Sequence, residues 1–404
     1  MPAPILYVHH RPEASGAAQS LALLIGSLDK RFTPHVLVPG GPAAALLADA
    51  GATVHVGPVS TFTHTWDVRY EGVRWAVFGR EIARLPAHVR SLSRTLDEVS
   101  PAVVHVNDAV MLAVGRIAHG RGVPVVWHLR TSLAGGRRGA AVAQRLDRWG
   151  AAAIAIDTDV ARSYPISLPT AVIPNPVAWA GTPPTRATDE ERSVLGIPAG
   201  AVSIGFFGYL RRQKGWPELV LAAERLDRAG LPFHVVVVGG GVRSPGWYQT
   251  PRGRVSSALR LATDEETEMR SLVHERGLDR RFSFLPFAGD VRSIYAALDI
   301  VTFPNTGAGL GRPVLEAAAA GVPVVAAGSV GGAGIVLPDE TGALLASPTP
   351  TLLAGALERL ITDPSLRATF GDAAARHATE RFSPSQHARA AETVYDSVSR
   401  DCVE

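Results

Sequence analysis

The stretch TGAGLGRPVLEAAAAGVPVVAA, residues 306–327, carries one carboxylate, Glu316, in a run of small and apolar residues with a single arginine. Gly307, Gly309 and Gly311 let a backbone come close to a ligand. A helix starting just after them would aim free N–H groups and a positive dipole end at an anion. A carboxylate one turn inside that helix can accept two hydrogen bonds from a vicinal diol such as a ribose. It can also do no more than complement the helix dipole. A second group of candidates lies in GFFGYLRRQKG, residues 205–215. An apolar run ends there at Gly208 and Tyr209, and Arg211, Arg212 and Lys214 cluster before Gly215. Three cations in that place suit a pyrophosphate, and the alternative is a solvated basic turn. The turn VVVVGGG at 235–241 has the same form and is weaker evidence by itself.

The histidines form a third group. His128 ends VPVVWH and His105 ends PAVVH, followed by Asn107 and Asp108; His9 and His10 follow the first apolar run. A histidine at the carboxyl end of a buried strand can bond a ligand or move a proton, or it can be a satisfied core residue. No HExxH occurs and no Asp-x-Asp is credibly placed at a strand end, so no metal site is expected.

These residues need elements to hold them. Apolar runs of strand length alternate with helical spacings throughout. Strands are expected at 4–10, 32–40, 53–57, 101–108, 123–130, 151–157 and 170–175, with helices at 17–30, 43–51 and after 109. Residues 176–195 are rich in Pro, Thr and charge and read as a linker. The alternation then restarts, with strands at 202–210, 233–241, 281–287, 300–305, 322–328 and 341–346. Helices are expected at 217–230, 291–299 and 312–321, and the tail from 350 to about 400 is helical. Buried strands alternating with helices imply parallel sheets covered on both faces. In such sheets ligands bind beyond the carboxyl ends of the strands. The segment 242–268, basic first and acidic last, interrupts the second half as a surface insertion or a lid.

The totals agree with two domains in 404 residues. Hydrophobic residues make up 46% and charged residues 19%, so a large core can be buried and global disorder is excluded. Net charge is +3, a weak basic bias that fits an anionic substrate and not a nucleic-acid binder. The single cysteine, Cys402, rules out a disulfide framework. No apolar window reaches membrane-span length, and the start lacks the features of a signal peptide. A cytoplasmic protein is expected. Abundant Ala, Gly, Pro and Arg with scarce Lys fit a GC-rich bacterial genome.

In order along the chain, EASGAAQSLALL, AVVHVND, VPVVWHLR, VIPNPVA, FGYLRRQKG, FSFLPFAGDVRSIYAALDIVTFPN, AGLGRPVLEAAAAGVPVVAAGSVGG and TGALLASPTPTLLAGALERLITD resemble the motifs of the retaining glycosyltransferases of family 4. The resemblance spans about residues 5 to 395. It implies the GT-B fold, an α/β architecture of two Rossmann-like domains whose parallel sheets face a central cleft. The boundaries expected are 1–178 for an acceptor-side domain, joined by a crossing helix in 385–404, and 179–384 for a nucleotide-sugar-binding domain. It implies transfer of a sugar from a nucleotide sugar, UDP-linked, to an acceptor, with retention, no cofactor and no required metal. By position, Lys214 and a nearby arginine would hold the diphosphate, with Arg212 counted beside Lys214 and His128 as catalytic and Arg211 as donor-binding, and Glu316 would bind the ribose. His128 would sit over the donor sugar and acceptor. Gly16, Gly208, Tyr209, Ala308, Gly309, Leu310 and Gly311 would complete the donor site.

Three departures stand out. The family's usual first glutamate, eight residues before Glu316, is Ala308; the arginine of its GRL motif is Tyr209; and Gly334 stands where an acid is common. The acceptor, a cell-envelope glycan or lipid or a secondary metabolite, is not readable. Arg137, Arg138, Arg145 and Arg148 with Trp149, or Trp66, Arg69, Trp75 and Arg80, could touch an anionic lipid or polymer, or form an ordinary solvated face; a peripheral membrane contact is one expectation. Competing functions are a non-catalytic sugar-nucleotide-binding partner and a nucleotide-sugar epimerase. A nicotinamide oxidoreductase is disfavoured, because no G-x-G-x-x-G opens the first strand–helix unit.

Overall fold

A computed structural model describes residues 2–61, 75–241, 243, 245–258, 263–286, 291–307, 311–328 and 334–400. The chain forms two compact units. One comprises residues 1–178 with 381–404, the other 179–380.

The first unit is built on strands β1 (Ala3–Val8), β2 (Phe32–Val38), β3 (Thr53–Val56), β4 (Val103–Val106), β5 (Val125–Leu129), β6 (Ala152–Ala155) and β7 (Thr170–Val172). They make a seven-stranded sheet in the order β3-β2-β1-β4-β5-β6-β7, with every pair parallel. Strands β4, β5 and β6 are buried along their whole length, as expected of strands covered on both faces. Strand order reverses between β1 and β4, which marks the switch point where ligands of such sheets bind. The closing helix, Pro384–Arg400, packs Ala388, Ala391, Tyr395 and Val398 into the same core as Ile5, Tyr7, Leu21 and Val103. Glu392 ties it further, accepting from the Asp29 amide at 2.8 Å.

The helix Trp75–Val99 is a long element that the sequence reading did not anticipate. Its pattern is obscured by Pro86 within the helix and by an inward face that uses Glu81, His88 and Thr95 beside Leu92 and Leu96.

The second unit carries β8 (Val202–Tyr209), β9 (Phe233–Gly240), β10 (Phe282–Leu285), β11 (Ile300–Pro304), β12 (Val324–Ala327) and β13 (Gly342–Leu345). Their order is β10-β9-β8-β11-β12-β13, again all parallel, with the reversal between β8 and β11. Phe206, Trp216, Phe233, Leu353 and Phe370 anchor its core. The expected linker contains a short helix, Asp189–Val194, started by a reciprocal capping box between Thr188 and Glu191. Arg186 and Arg192 then converge on Asp299, Arg192 at 3.1 Å, and fasten this segment beside the amino end of β11. Within 242–268, the described residues include the helices Pro245–Gln249 and Pro251–Ala258. Among the described residues no helix is long and apolar enough to cross a membrane.

Candidate functional site

At the switch point of the second sheet, the loops leaving β8 and β11 are sewn together. The Gln213 carbonyl accepts from the amides of Thr306 at 2.8 Å and Gly307 at 3.3 Å, and from the Thr306 hydroxyl at 3.2 Å. Gly215 makes this contact possible. Its φ is +79°, and a Cβ there would lie 1.9 Å from the Pro304 carbonyl oxygen. Asn305, fully buried, braces the second loop by donating to the Gly307 carbonyl at 2.8 Å. The sequence TFPNTG thus folds back on RRQKG and holds both at the carboxyl edge of the sheet.

Three cations enter this place in different states. Lys214 is half-buried, with its Nζ 5.0 Å from the centre of the Phe303 ring. Burial, and next the Arg211 charge, lower its pKa. No carboxylate lies within ion-pair distance of it among the described residues. Arg211 is exposed and equally without a carboxylate among those residues. Arg212 is committed elsewhere, paired to Glu268 at 2.7 Å with its guanidinium 5.2 Å from the Trp216 ring centre. Gly208, at φ +115°, and the exposed Tyr209 end β8 beside them.

Glu316 lies on the helix Arg312–Ala319, which starts from Gly311 without a side-chain cap. The carboxylate is 7% exposed, and both oxygens are engaged. Oε1 accepts from Arg312 Nε at 2.7 Å and Oε2 from the Tyr295 hydroxyl at 3.0 Å. Tyr295 is itself fixed by stacking on Phe207 with centroids 4.4 Å apart. Its pKa is driven well above the usual range by burial and by the Glu316 charge. Arg312 and Tyr295 were not singled out in the sequence. The i, i+4 spacing of Arg312 and Glu316 was the available signal for the first; Tyr295 comes from another helix and left none. Ala308, Gly309 and Leu310 lie outside the described residues.

The first unit's switch point is polar but differently made. Arg130, just past β5, donates to Asn107 Oδ1 at 2.6 Å through Nη2 and to Asn175 Oδ1 at 3.0 Å through Nη1. Asn107 lies 3.0 Å from His9 Nδ1. His105 joins His128 (Nε2 to Nδ1, 3.0 Å) to the Tyr395 hydroxyl (2.8 Å), which donates on to Tyr7. His128 Nδ1 is shared between His105 Nε2 and Arg130 Nη2, which stands 3.4 Å away and can only donate, and the ring's other nitrogen is His128 Nε2. That atom is buried and has no hydrogen-bond partner among the described residues; the same holds for His9 Nε2. His387 from the closing helix stacks over His128 at 6.3 Å. Burial lowers the pKa of every one of these rings: His9 to about 3, His387 to about 4, His105 and His128 well below the usual value. Gly16 is the exposed first residue of the helix Gly16–Ile25, next to the capping Ser15 and to Ala17, whose carbonyl accepts from Asn107 at 3.4 Å.

Asp157 and Asp159 follow β6, but the Asp157 carboxylate caps a helix by accepting from the Val160 amide at 2.6 Å. Among the described residues no group of three His, Cys, Asp or Glu side chains could hold a metal ion. A cavity of about 570 Å³ in the second unit, lined by Pro183, Glu191, Arg292 and Ala297 among others, opens near the amino end of β11. It is therefore remote from the carboxyl edge where the cations gather, and we attach no chemistry to it.

Residues 14–178 match the family model for glycosyltransferase family 4, and residues 187–377 match that for glycosyl transferases group 1. A D-inositol 3-phosphate glycosyltransferase of Corynebacterium jeikeium is 33% identical over 217 residues, 53% of this chain and 48% of that protein. A lipopolysaccharide core biosynthesis mannosyltransferase, LpcC, of Rhizobium leguminosarum is 30% identical over 58% of this chain and 62% of its own length. The chain thus spans about half the length of the curated relatives it matches. Among solved structures, Anabaena HepE in complex with UDP-glucose superposes with a TM-score of 0.76 at 21% identity, covering 98% of this chain and 100% of that one. A glycosyltransferase of Rickettsia africae superposes at 0.75 with 14% identity, covering 98% of each.

Proposed function

Because this chain belongs to the group 1 and family 4 glycosyltransferases and has their GT-B fold, we propose that it transfers a sugar from a nucleoside-diphosphate sugar to an acceptor hydroxyl. The observation that carries this reading is Lys214: a half-buried ammonium without a carboxylate partner among the described residues, at the switch point of the second sheet. When the bond from the anomeric carbon to the diphosphate breaks, charge develops on the leaving oxygen. A preplaced cation in a partly desolvated site stabilises that charge. Arg211 is available as the second cation, whereas Arg212 is held by Glu268. The uncapped start of the helix Arg312–Ala319 adds free N–H groups.

Glu316 binds the ribose in this reading. Arg312 and Tyr295 fix its rotamer, and each carboxylate oxygen keeps accepting capacity for a hydroxyl. His128, through its Nε2, which has no partner among the described residues, hydrogen-bonds a hydroxyl of the transferred sugar. The donor is proposed to be UDP-linked, as in the HepE complex with UDP-glucose. Retention, independence of metal and a cytoplasmic location go with the same family reading. The acceptors of the two relatives differ, so the acceptor proposed is a hydroxyl of a cell-envelope glycan or lipid, or of a secondary metabolite.

Ala308 sharpens the donor. A site with a carboxylate on that edge rejects sugars lacking the matching hydroxyl, because the acid would be left unpaired. Alanine removes that penalty, so a deoxy, amino or otherwise modified sugar is accommodated. The test is a panel of UDP-, GDP- and TDP-linked sugars, with and without 3- and 4-hydroxyls, followed by mass spectrometry of the product. Glu316→Gln is expected to weaken both the sugar nucleotide and the free diphosphate by about 10- to 100-fold, the worth of hydrogen bonds to a charged group. Loss of sugar-nucleotide affinity with unaltered diphosphate affinity would remove the ribose role. Preference for plain UDP-glucose over every modified donor would remove the role given to Ala308.

A further inference from the structure

The first unit carries a two-part depression that the sugar chemistry leaves unused. One basin, about 390 Å³, is apolar and is lined by Leu85, Val89, Leu112, Ala113, Ile117 and Trp149. Arg116 and Arg145 stand at its edge and continue into a second basin of about 460 Å³, where Arg148 and Gln144 join them. Among the described residues no acidic one lines either basin. None of the three arginines has a carboxylate within ion-pair distance among the described residues. The one acid of the helix Gly136–Trp149, Asp147, is occupied by the amides of Ser167 and Leu168 at 2.7 and 3.2 Å.

The depression leads onto an apolar stripe. Trp75, Phe78, Ile82, Leu85 and Val89 recur at spacings of three and four along the helix Trp75–Val99, so they share one face. Part of that face is open to solvent: Trp75 is 57% and Ile82 46% exposed, while Phe78, Leu85 and Val89 are half-buried. The floor is rigid. A Cβ at Gly115 or Gly150 would collide with the buried Trp127 ring, at 2.3 and 2.6 Å, so the helices Leu112–His119 and Gly136–Trp149 are seated tightly on β5.

We propose that this face binds an anionic lipid, with the phosphate held by Arg116, Arg145 and Arg148, the start of the acyl chain in the apolar basin, and the stripe from Trp75 to Val89 lying at the membrane surface. Guanidinium groups match a phosphate in charge and geometry. A helix with an apolar stripe and flanking arginines lies in a bilayer interface. An exposed tryptophan at its end suits the headgroup level. A soluble polyanion would use the arginines but would leave the apolar basin and stripe in water, so the lipid is the occupant that satisfies both halves.

The experiment is vesicle flotation of the full chain. Vesicles of equimolar phosphatidylglycerol and phosphatidylcholine are expected to carry the protein, and pure phosphatidylcholine is not. An arginine near an anionic surface is worth about fivefold in partitioning, so Arg145→Gln with Arg148→Gln should lower it about 25-fold. Ile82→Ser, at an exposed position, should lower it independently, with an unchanged melting temperature showing that the fold is intact. Phosphatidylglycerol brominated near the start of its chains should quench the tryptophan fluorescence of the unmodified protein, and less so in Trp149→Phe. Equal flotation with both vesicle types would overturn the proposal. So would binding that ignores Ile82→Ser while free polyphosphate competes it away, since that result identifies a polyanion site. Absence of quenching in the unmodified protein would overturn it regardless of how any variant folds.

Discussion

The two sheets reverse their strand order at the same topological place, between β1 and β4 in one unit and between β8 and β11 in the other, yet the chain furnishes the two places in opposite ways. The second unit puts free charge there: Lys214 half-buried, Arg211 exposed, and a carboxylate held ready by Tyr295 and Arg312. The first unit puts buried neutral imidazoles there, interlocked through His105, Tyr395 and Asn107 around one buried cation, Arg130, which is fixed on Asn107 and Asn175 and whose charge helps to keep the rings neutral. Charge at a loop edge suits an anion that arrives and leaves. Neutral, fixed hydrogen-bonding groups suit uncharged hydroxyls, and they make the unit's own stability depend on staying neutral.

The contrast breaks most readily at Lys214. If the developing diphosphate charge is met in the second unit, Lys214→Ala should lower turnover by about 10²–10³-fold, the usual loss on removing one donor to a transition-state anion. Folding should change little, because no ion pair is lost among the described residues. Steady-state kinetics with the preferred nucleotide sugar, beside a thermal melt, would read both. Turnover within a few-fold of the unmodified protein would mean that the diphosphate is met elsewhere.

The imidazoles give a second test, in stability. His9, His105, His128 and His387 have folded-state pKa values below the ordinary 6.5, because burial penalises their charged forms. As pH falls below about 6.5 the unfolded chain takes up protons that the folded unit refuses, so stability is lost. Each ring contributes up to about 1.4 kcal/mol per pH unit until its folded pKa is reached. Burial raises Asp108 to about 6, and it works in the opposite sense between there and its ordinary 3.8, offsetting one ring of the four. In the second unit His234 shifts in the same direction as the rings, whereas Asp299, with a lowered pKa, keeps its contribution until the pH falls below 3.8. At pH 5, protection from amide exchange, taken relative to the intrinsic rate at each pH, should therefore fall in β1, β4 and β5 before it does in β8 and β11. Mass-spectrometric exchange at pH 7 and pH 5 would show it. Earlier opening of the second unit would contradict the comparison.

Much of this arrangement is readable in the sequence, and the unread parts share a cause. Apolar runs such as VVHV and VVWHL mark buried parallel strands because both faces must be covered, and the carboxyl ends of such strands include His128 and lead into the turn with Lys214 and the helix with Glu316. Partners brought in from distant elements leave no such mark. Tyr295 on Glu316, Tyr395 on His105 and Glu268 on Arg212 are separated by 21, 290 and 56 residues from what they touch. The helix Trp75–Val99 escaped because Trp75 and Ile82 of its apolar stripe are exposed, while its inward face mixes Glu81 and His88 with Leu92 and Leu96. A pattern that assumes apolar means buried reads that helix inside out.

The smallest expected effect separates two adjacent cations that the sequence could not tell apart. Arg212 spends its charge on Glu268 at 2.7 Å, and its side chain is 64% exposed. Exposed pairs of this kind contribute only about 0–1 kcal/mol. Arg212→Ala should therefore leave turnover within about threefold and stability nearly unchanged. Arg211 has no such partner among the described residues, and its charge already acts on Lys214, whose pKa it helps to lower. If Arg211 is the second diphosphate cation, Arg211→Ala should cost at least about tenfold in turnover, a charged hydrogen bond being worth roughly 1.5–3 kcal/mol. Measured side by side with one donor, the two variants rank the pair. A larger loss in Arg212→Ala would mean that the nucleotide sugar pulls Arg212 off Glu268 on binding. Glu268→Ala, which frees that guanidinium in advance, should then tighten the donor.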